Sequence, residues 1–332
     1  MADIKNLKVN LDSKILQSEK VVIVPHRNAD VDAIGSAIGL SLIAKKNKKS
    51  SYIILDDPSY IMERGVKAIQ DESKKDYNIV KLSKYLENQN SNDLFILTDV
   101  NKKNLISINE EMLNPKNTMI IDHHHEDDMT IDTKYKYINT DASSASEIVA
   151  QLLFQYRIKI PTNVANYLLA GIWLDTNKLY KNSSAETLRT MAKLVEFGAD
   201  TSYADDLLSE DIQSIRRVNN LVSKLQVSTF SIATALGNED DEYTREEIAK
   251  AADYLLRGDV DAAFAVGNID DNTISVSARS KARIDVGAVM SKLGGGGNKF
   301  AAATKLDRNE TTVEEVGEQL KKVLTPGYYI KR

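Results

Sequence analysis

Short apolar runs alternate with helical patterns along the first half of the chain. Four of these runs predict buried strands, at Val21–Val24, Tyr52–Leu55, Leu94–Leu97 and Met119–Ile121. Between the first two runs, residues 33–43 repeat apolar side chains with a helical period. This alternation predicts an α/β domain with a doubly wound, mainly parallel sheet. In such sheets, ligands bind outside the carboxyl ends of the strands.

The pattern changes twice in the second half. Residues 143–225 predict almost continuous helix, with a capping box at Ser144–Glu147 and another helix start at Ser183–Glu186. A second α/β pattern follows. Its expected strands are Phe230–Leu236, Ala262–Val266 and Thr273–Ser277, and its expected helices are Arg245–Leu256, Val286–Leu293 and Val313–Leu324. We therefore expect a first domain at residues 1–196, a helical linker at 197–225 and a smaller α/β domain at 226–332.

Composition limits the chemistry that is open to the chain. Its 332 residues suffice for two domains, and 42% hydrophobic and 27% charged residues are typical of globular proteins. The chain has no cysteine, so disulfides, thiolate catalysis and zinc–thiolate sites are excluded. A net charge of −5 argues against binding long duplex nucleic acid through a broad basic surface. No signal peptide pattern is seen, and no apolar run approaches the roughly 20 residues of a membrane-spanning helix.

Histidines and aspartates directly follow the apolar runs. His26, Asp30 and Asp32 come after Val21–Val24, and Asp122–His125 comes at the end of Met119–Ile121. Two more carboxylates follow apolar runs in the same way, Asp99 after Leu94–Leu97 and Asp175 after residues 168–174. Imidazole and carboxylate groups at the ends of buried elements are the donors that hard-to-borderline divalent metals prefer.

The spacing of these groups favours two adjacent cations. His26, Asp30 and Asp32 lie at i, i+4 and i+6, so that one short loop can supply ligands to both. Asp99 can bridge the ions, and His123 with Asp175 can complete the second set. Two divalent ions about 3.5–4 Å apart can hold a bridging water, lower its pKa and clamp a phosphoryl displacement.

Taken one at a time, the same residues also fit structural roles. The His26–Asp32 loop alone is typical of a solvated turn, and Asp122–His124 alone is typical of a helix cap or turn. Asp99 alone could cap a helix near Lys102, and Asp175 alone could simply interrupt an apolar helix. Only their joint occurrence after buried elements predicts a metal site. Asp122 or His124 is then expected to orient His123 from behind.

The motifs resemble those of the DHH phosphoesterase superfamily. The order H-x3-D-x-D-x2-G-S at His26–Ser36, Thr98-Asp99, Asp122–His124 and Leu174–Thr176 carries the resemblance in the first domain. In the second domain, three segments are similar to the DHH-associated C-terminal domain: Ser277–Ser280, Gly294–Gly297 and Ala301–Ala303. The resemblance covers nearly the whole chain and places the active site in the cleft between the two domains.

Three further segments look most like the catalytic module of GdpP-type cyclic-di-AMP phosphodiesterases. They are Asp141–Glu147, Ala251–Leu256 and Ile274–Ser280. This resemblance implies a hydrolase with two Mn²⁺ ions that opens cyclic di-AMP to linear pApA through a metal-bridged hydroxide. It implies His26, Asp30 and Asp99 as ligands of one ion. For the other ion it implies Asp32, Asp99, His123 and Asp175, and it assigns catalytic roles to His124, Asp99 and Asp122.

The resemblance implies that the second domain contacts the substrate. The implied contacts are Arg279, Ser280, Gly295, Gly296, Gly297 and Asn298. Arg279 can pair with a phosphate bidentately, and the glycines allow close approach of their N–H groups. The family usually has histidine where this chain has Asn298, which can form a hydrogen bond but carries no charge. His125 stands where a basic residue commonly follows the D-H-H motif.

Several alternatives remain at the level of sequence. The nearest is a nanoRNase of the same superfamily, which degrades pApA and short RNA to mononucleotides and can have 3′-phosphoadenosine phosphatase activity. Pyrophosphatase relatives rank third, because their second domain lacks the glycine-alanine motif. A non-catalytic nucleotide sensor is disfavoured by the intact ligand set. The resemblance also implies a homodimer and a cytoplasmic location, either free-standing or as the cytosolic catalytic part of a membrane-anchored protein.

Overall fold

The computed structural model describes residues 4–55, 77–228 and 231–324. It divides into two compact units between Ser209 and Glu210. This division falls inside the segment 197–225, whose role as a linker stays a prediction, together with the domain boundaries at 196 and 226. The predicted strand start at Phe230 lies outside the described residues, as do both ends of the chain (1–3 and 325–332).

A parallel sheet forms the centre of the first unit. Among the described residues, its strands are β1 Val21–Val24, β2 Ser51–Ile54, β3 Ile79–Val80, β4 Leu94–Thr98, β5 Thr118–Asp122 and β6 Tyr135–Ile138. They lie in the order β3-β2-β1-β4-β5-β6, and every neighbouring pair is parallel. Every residue of β1, β4 and β5 is buried, because helices and loops cover both faces of such a sheet. The predicted α/β class and parallel sheet are confirmed.

The first unit contains the helix predicted at residues 33–43 and several separate helices in the region from residue 143, together with helices at Ile4–Gln17 and Leu82–Leu86 that these patterns did not predict. In chain order, its described helices are α1 Ile4–Gln17, α2 Val31–Lys46, α3 Leu82–Leu86, α4 Ala145–Gln155, α5 Thr162–Thr176, α6 Ala185–Glu196 and α7 Thr201–Asp206. The prediction of almost continuous helix from residue 143 was wrong, because Pro161, Ser184 and Asp200 each start a new helix as its N-cap. The helix α2 packs against α4 and α5 and is buried apart from Leu42 and its last two residues, Lys45 and Lys46.

The second unit contains a mixed sheet covered by helices. Its described strands are β7 Leu225–Val227, β8 Ile232–Leu236, β9 Ala262–Asp270, β10 Thr273–Ser280, β11 Gly296–Gly297 and β12 Ala301–Asp307. Its described helices are α8 Ile212–Ser223, α9 Arg245–Leu256, α10 Val286–Ser291 and α11 Val313–Val323. The strand order is β11-β12-β10-β9-β8-β7, in which only the β8–β9 pair is parallel. In neither unit does a described helix have the length and apolar content needed to cross a lipid bilayer.

Candidate metal centre and substrate groove

The loop between β1 and α2 presents the first three side chains of the candidate centre. Asp30 is the N-cap of α2, and its Oδ1 accepts hydrogen bonds from the N–H groups of Asp32 (2.9 Å) and Ala33 (3.1 Å). Its Oδ2 lies 3.7 Å from Nε2 of His26. Nδ1 of His26 lies 2.8 Å from the carbonyl oxygen of Arg27, which can only accept, so that nitrogen carries the proton. Nε2 of His26 is therefore the nitrogen that faces the carboxylates.

Asp32 is held at the N-terminus of α4. Its carboxylate is fully buried and accepts hydrogen bonds from the N–H groups of Ala145 (2.8 Å) and Ser146 (2.7 Å). The positive end of a helix stabilises an anion in this position. On the other side, a Cβ at Gly171 of α5 would collide with Oγ of Ser146 and lie 2.8 Å from Oδ1 of Asp32. The glycine thus allows α5 to pass close to the carboxylate.

Asp99 lies at the middle of the centre. It follows β4 with a left-handed backbone (φ 58°), and its N–H donates to the carbonyl of Ile121 at 3.1 Å. Its Oδ2 is 3.5 Å from Nε2 of His26, whereas its Oδ1 is 3.2 Å from Nε2 of His123. One carboxylate therefore faces two groups of donors through different oxygens.

Asp122 orders the turn that carries the histidines after β5. Its Oδ1 accepts hydrogen bonds from the N–H of His123 (2.7 Å), the N–H of His124 (3.2 Å) and Nδ1 of His124 (2.9 Å). Nδ2 of Asn101 donates to the carbonyl oxygen of His124 at 3.0 Å. Sequence reasoning missed Asn101, although its position two residues after Asp99 on the same loop was a usable signal. The turn directs Nε2 of His123 toward Oδ2 of Asp175, 3.1 Å away.

The positions of the predicted ligands agree with the sequence prediction except for one. His26, Asp99 and Asp122–His124 lie at or just after the carboxyl ends of adjacent parallel strands, as predicted. Asp175 does not hold an equivalent position, because it lies in the last turn of the helix α5. Its side chain reaches the cluster from α5, so the long apolar run that precedes it is a buried helix.

Several side-chain atoms of the cluster are buried without a hydrogen-bond partner in the part of the first unit that the structure describes. Within the described residues, Oδ1 of Asp99, Nε2 of His123 and Oδ2 of Asp122 are buried without a hydrogen-bond partner. Unpaired buried polar atoms are costly and call for an ion or another partner. The donor atoms of His26, Asp30 and Asp99 lie within 4.8 Å of one another, and so do those of Asp32, His123 and Asp175.

These separations fit divalent cations. An octahedral ion with bonds of about 2.1 Å has adjacent donors about 3.0 Å apart and opposite donors about 4.2 Å apart. The distances from Nε2 of His26 and Nε2 of His123 to the carboxylate oxygens around them run from 3.1 to 4.0 Å. Asp99 contributes to the first group and also contacts the second through His123. The residues present therefore fit divalent metal ions, which this cluster of imidazoles and carboxylates would hold.

The electrostatics of the cluster reflect its concentration of negative charge. Burial, together with the nearby Asp99, raises the pKa values of Asp32 and Asp175. Burial opposes protonation of His26 and His123, but the surrounding carboxylates outweigh it and raise the pKa of each to about 11. These same imidazoles outweigh burial at Asp99 and lower its pKa. Protons or metal cations can meet the same demand for positive charge.

In the second unit, Arg279 is bonded to its neighbours. Its Nε donates to Oδ1 of Asp253 at 2.8 Å, and its Nη1 donates to Oγ of Ser277 (3.0 Å) and the carbonyl oxygen of Ala278 (3.1 Å). Asp253 lies on α9 and was not among the predicted site residues, although it belongs to the Ala251–Leu256 segment quoted for the resemblance. It fixes the direction of the Arg279 guanidinium.

Other predicted substrate contacts have local structural partners. The hydroxyl of Ser280 donates to the carbonyl of Asp261 (3.3 Å) and accepts from the N–H of Ile284 (3.3 Å). Oδ1 of Asn298 accepts hydrogen bonds from the N–H groups of Phe300 (2.8 Å) and Ala301 (3.0 Å). Asn298 therefore orders the turn into β12, a role for which its amide oxygen is sufficient. Contact of Ser280 and Asn298 with substrate stays a prediction.

The glycine run packs tightly against β12. The N–H of Gly295 donates to the carbonyl of Met290 at 2.9 Å, and a Cβ at Gly295 would collide with the carbonyl oxygen of Ala303. Gly296 and Gly297 pair with β12 as the edge strand β11. Close packing thus accounts for glycine at position 295. Contact of the three glycines with substrate stays a prediction.

Comparison with known proteins identifies two domains. The DHH family N-terminal domain matches residues 20–172, and the DHHA1 domain matches residues 222–325. The structure is similar to that of an exopolyphosphatase-related protein from Bacteroides fragilis, with a TM-score of 0.78, 20% identity and coverage of 96% of each chain. This likeness supports the fold.

Two curated relatives differ in how much of their length the chain covers. The chain is 32% identical over 320 residues to the cyclic-di-AMP phosphodiesterase PdeA of Listeria monocytogenes, covering 93% of this chain and 48% of PdeA. It is 26% identical over 323 residues to the bifunctional oligoribonuclease and PAP phosphatase NrnA of Mycoplasma genitalium, covering 93% of this chain and 96% of NrnA. The chain thus spans about half the length of PdeA and nearly all of NrnA.

Proposed function

Because the chain belongs to the DHH family and carries a DHHA1 domain, we propose that it is a manganese-dependent phosphodiesterase that hydrolyses cyclic di-AMP to linear pApA. The observation that carries the proposal is the position of Asp99, whose two oxygens face separate groups of donors. Similarity to PdeA over most of this chain supports cyclic di-AMP as the substrate.

The first unit supplies the ligands of both ions in this proposal. His26, Asp30 and Asp99 would hold one ion. Asp32, Asp99, His123 and Asp175 would hold the other. The absence of thiolates leaves nitrogen and oxygen donors, which suit Mn²⁺. When bound, two such ions would stabilise negative charge on the phosphate and lower the pKa of the attacking water.

His124 is the proposed proton donor. Hydrolysis adds water across one P–O3′ bond, so that phosphorus gains an oxygen and the departing 3′ oxygen gains a proton. Nδ1 of His124 is bonded to Asp122, which leaves Nε2 on the far side of the ring to donate. The side chain of His124 is 54% exposed, against 13% for His123, and so a substrate can reach it. Asp122 keeps the ring in this orientation.

Arg279 is the proposed phosphate contact in the second unit. Asp253 accepts hydrogen bonds from Nε and Nη2 of its guanidinium, and Ser277 and the Ala278 carbonyl accept from Nη1, so that the group is held in place. A preorganised guanidinium loses less conformational entropy when it binds a phosphate. Ser280, Gly295, Gly296, Gly297 and Asn298 remain proposed substrate contacts through the resemblance.

A product-resolved nucleotide assay tests the function. Cyclic di-AMP, pApA and a five-nucleotide RNA are offered separately with Mn²⁺, with Mg²⁺ and with a chelator. Conversion of cyclic di-AMP that stops at pApA and requires Mn²⁺ supports the proposal. Asp132→Asn, an exposed carboxylate outside the cluster, serves as the matched control for Asp99→Asn.

A nanoRNase is the second candidate function. It is favoured by the similarity to NrnA over 96% of that protein. In the same assay, this activity would appear as preferred cleavage of pApA or RNA with release of AMP, and it would overturn the cyclic di-AMP proposal. The homodimer and the cytoplasmic location stay predictions. Light scattering of the purified chain tests the homodimer.

A further inference from the structure

A groove of about 670 Å³ lies in the second unit between α9 and the strands β10 and β12. We call it the α9 groove. Alternate residues of an antiparallel pair share one face of the sheet. In the α9 groove, the paired residues on this face are Ser275 with Lys305, Ser277 with Ala303, and Arg279 with Ala301.

The helix α9 runs alongside β10 in the same direction. Its residues Arg245 and Ala249 line the groove, and Asp253, two turns beyond Arg245, is bonded to Arg279. Asp270, at the end of β9, has its pKa lowered chiefly by the N–H of Asn272 and to a smaller extent by Arg245. Arg245 therefore lies at the end of the groove near the β9–β10 turn, opposite the Arg279 end.

The α9 groove consequently has cations at both ends. Arg279 marks one end, and Arg245 with Lys305 marks the other. Arg245 and Lys305 are both exposed to solvent. The rise of the helix between Arg245 and Asp253 gives a separation of about 12 Å, and the strand between Ser275 and Arg279 gives about 13 Å. Asp253 beside Arg279 and Asp270 near Arg245 offset part of the positive charge of these three cations.

Small side chains line the space between these ends. Ala249, Ser277 and Ala303 leave room for a flat ring above the sheet. Ser275 is only 6% exposed and also lines the groove. A hydroxyl on the wall of a groove can form a hydrogen bond with a polar group of a ligand.

We infer that the α9 groove binds a dinucleotide through both of its phosphates, with Arg279 contacting one and Arg245 with Lys305 contacting the other. The inference rests on the proposed function for the Arg279 contact. It adds Arg245 and Lys305 as specificity-determining residues, which favour ligands with two phosphates over mononucleotides. Ser275 contacts the ribose or base between them.

Equilibrium binding in the presence of a chelator tests the inference on the whole chain. Isothermal titration calorimetry measures the affinities for cyclic di-AMP, pApA and AMP. Arg245→Gln and Lys305→Gln should each weaken binding of both two-phosphate ligands about tenfold, as expected for the loss of a charge-assisted hydrogen bond. The affinity for AMP should change by less than about twofold, because Arg279 retains its one phosphate.

Matched controls come from surface cations elsewhere in the second unit. Arg283→Gln and Lys322→Gln remove exposed charges that do not line the groove and should leave all three affinities unchanged. Wild-type affinity of Arg245→Gln and Lys305→Gln for cyclic di-AMP and pApA would overturn the inference. So would an equal weakening of AMP binding, or a failure of the wild-type chain to bind either two-phosphate ligand.

A parallel hydrolysis assay with Mn²⁺ separates this inference from the proposed function. If the wild-type chain hydrolyses cyclic di-AMP and the Arg245 and Lys305 variants bind it normally, the function stands and the inference fails. If the wild-type chain binds cyclic di-AMP without hydrolysing it and the variants lose binding, the inference stands and the function fails.

Discussion

The candidate metal centre of the first unit and the α9 groove of the second unit differ in how their polar groups are buried and hydrogen-bonded. In the centre, donor atoms of Asp99 and His123 are buried and lack hydrogen-bond partners. In the groove, Arg279 is bonded to Asp253, and Arg245 and Lys305 are exposed to solvent. Buried unpaired charge is costly, whereas exposed charge is stabilised by water.

This difference determines how strongly each region points to a ligand. The buried carboxylates of the centre lack enough positive charge around them and require protons or a cation. This unbalanced negative charge indicates that the ligand is a cation. The cations of the groove are solvated or hydrogen-bonded, so its ligand is inferred only from their arrangement around a cavity. Disturbing the centre should therefore have larger effects than disturbing the groove.

The largest effect is expected from Asp99→Asn. It removes the charge shared by the two donor groups, so kcat should fall about a thousandfold, equal to about 4 kcal/mol of activation free energy. Folding should persist, because the amide has the same shape and the substitution relieves repulsion with Asp32 and Asp175. Activity with cyclic di-AMP and circular dichroism check this result. If Asp99→Asn were as active as Asp132→Asn, Asp99 would not be required for catalysis.

Added Mn²⁺ should stabilise the first unit. A ligand at one hundred times its dissociation constant stabilises the native state by about 2.7 kcal/mol. Thermal unfolding with Mn²⁺ and with a chelator measures the shift, and hydrogen exchange should localise it to α2 and α5. His123→Ala should lose the shift. An equal shift in the wild-type chain and in His123→Ala would mean that the ion binds elsewhere.

Gly171→Ala tests whether the centre depends on close packing. The new Cβ would collide with Oγ of Ser146 and crowd Asp32, which should destabilise the chain by about 1–3 kcal/mol. Thermal unfolding measures the loss. Gly296→Ala is the control for stability, since a Cβ there meets no atom within 4 Å. Equal stability of the two variants would contradict the packing argument.

Arg279→Ala should act on substrate affinity. Loss of a charged hydrogen bond costs about 1–3 kcal/mol, which corresponds to a KM raised about fivefold to more than a hundredfold, with kcat less affected. Steady-state kinetics with cyclic di-AMP distinguish the two parameters. Arg283→Ala, which removes an exposed arginine paired with Asp261, is the control. An unchanged KM would exclude Arg279 from the substrate site.

The smallest effect concerns a paired charge away from both sites. Burial raises the pKa of Glu247, but the Arg217 guanidinium and the N–H of Thr244 outweigh it and hold the pKa below its usual value. Glu247 therefore stabilises the fold above the unfolded-state pKa of about 4.3, and this stability is lost as pH falls through the lower folded pKa. Urea unfolding between neutral and acidic pH should show a shallower decline for Glu247→Gln. The same slope in both proteins would contradict this role.

Some features of the fold followed directly from the residue pattern. The continuous apolar runs at Val21–Val24 and Leu94–Leu97 predicted parallel strands, because both faces of such strands are buried. The helix Arg245–Leu256 was predicted with its observed ends, and the structure shows that Thr244 and Glu247 form a capping box at its start. At Ser144, the predicted box is only half present, because Glu147 turns back to the N–H of Ser143 and not to that of Ser144.

The sequence by itself determined which donors are available and that most of them follow strands, because apolar periodicity and strand ends are local properties of the chain. Only the tertiary structure decided that Asp175 joins His123 from a helix, that Gly171 makes room for Asp32, and that Arg245 lines a groove with Arg279 and Lys305. These contacts join residues far apart in sequence. Their geometry depends on how helices pack on sheets, which no local pattern specifies.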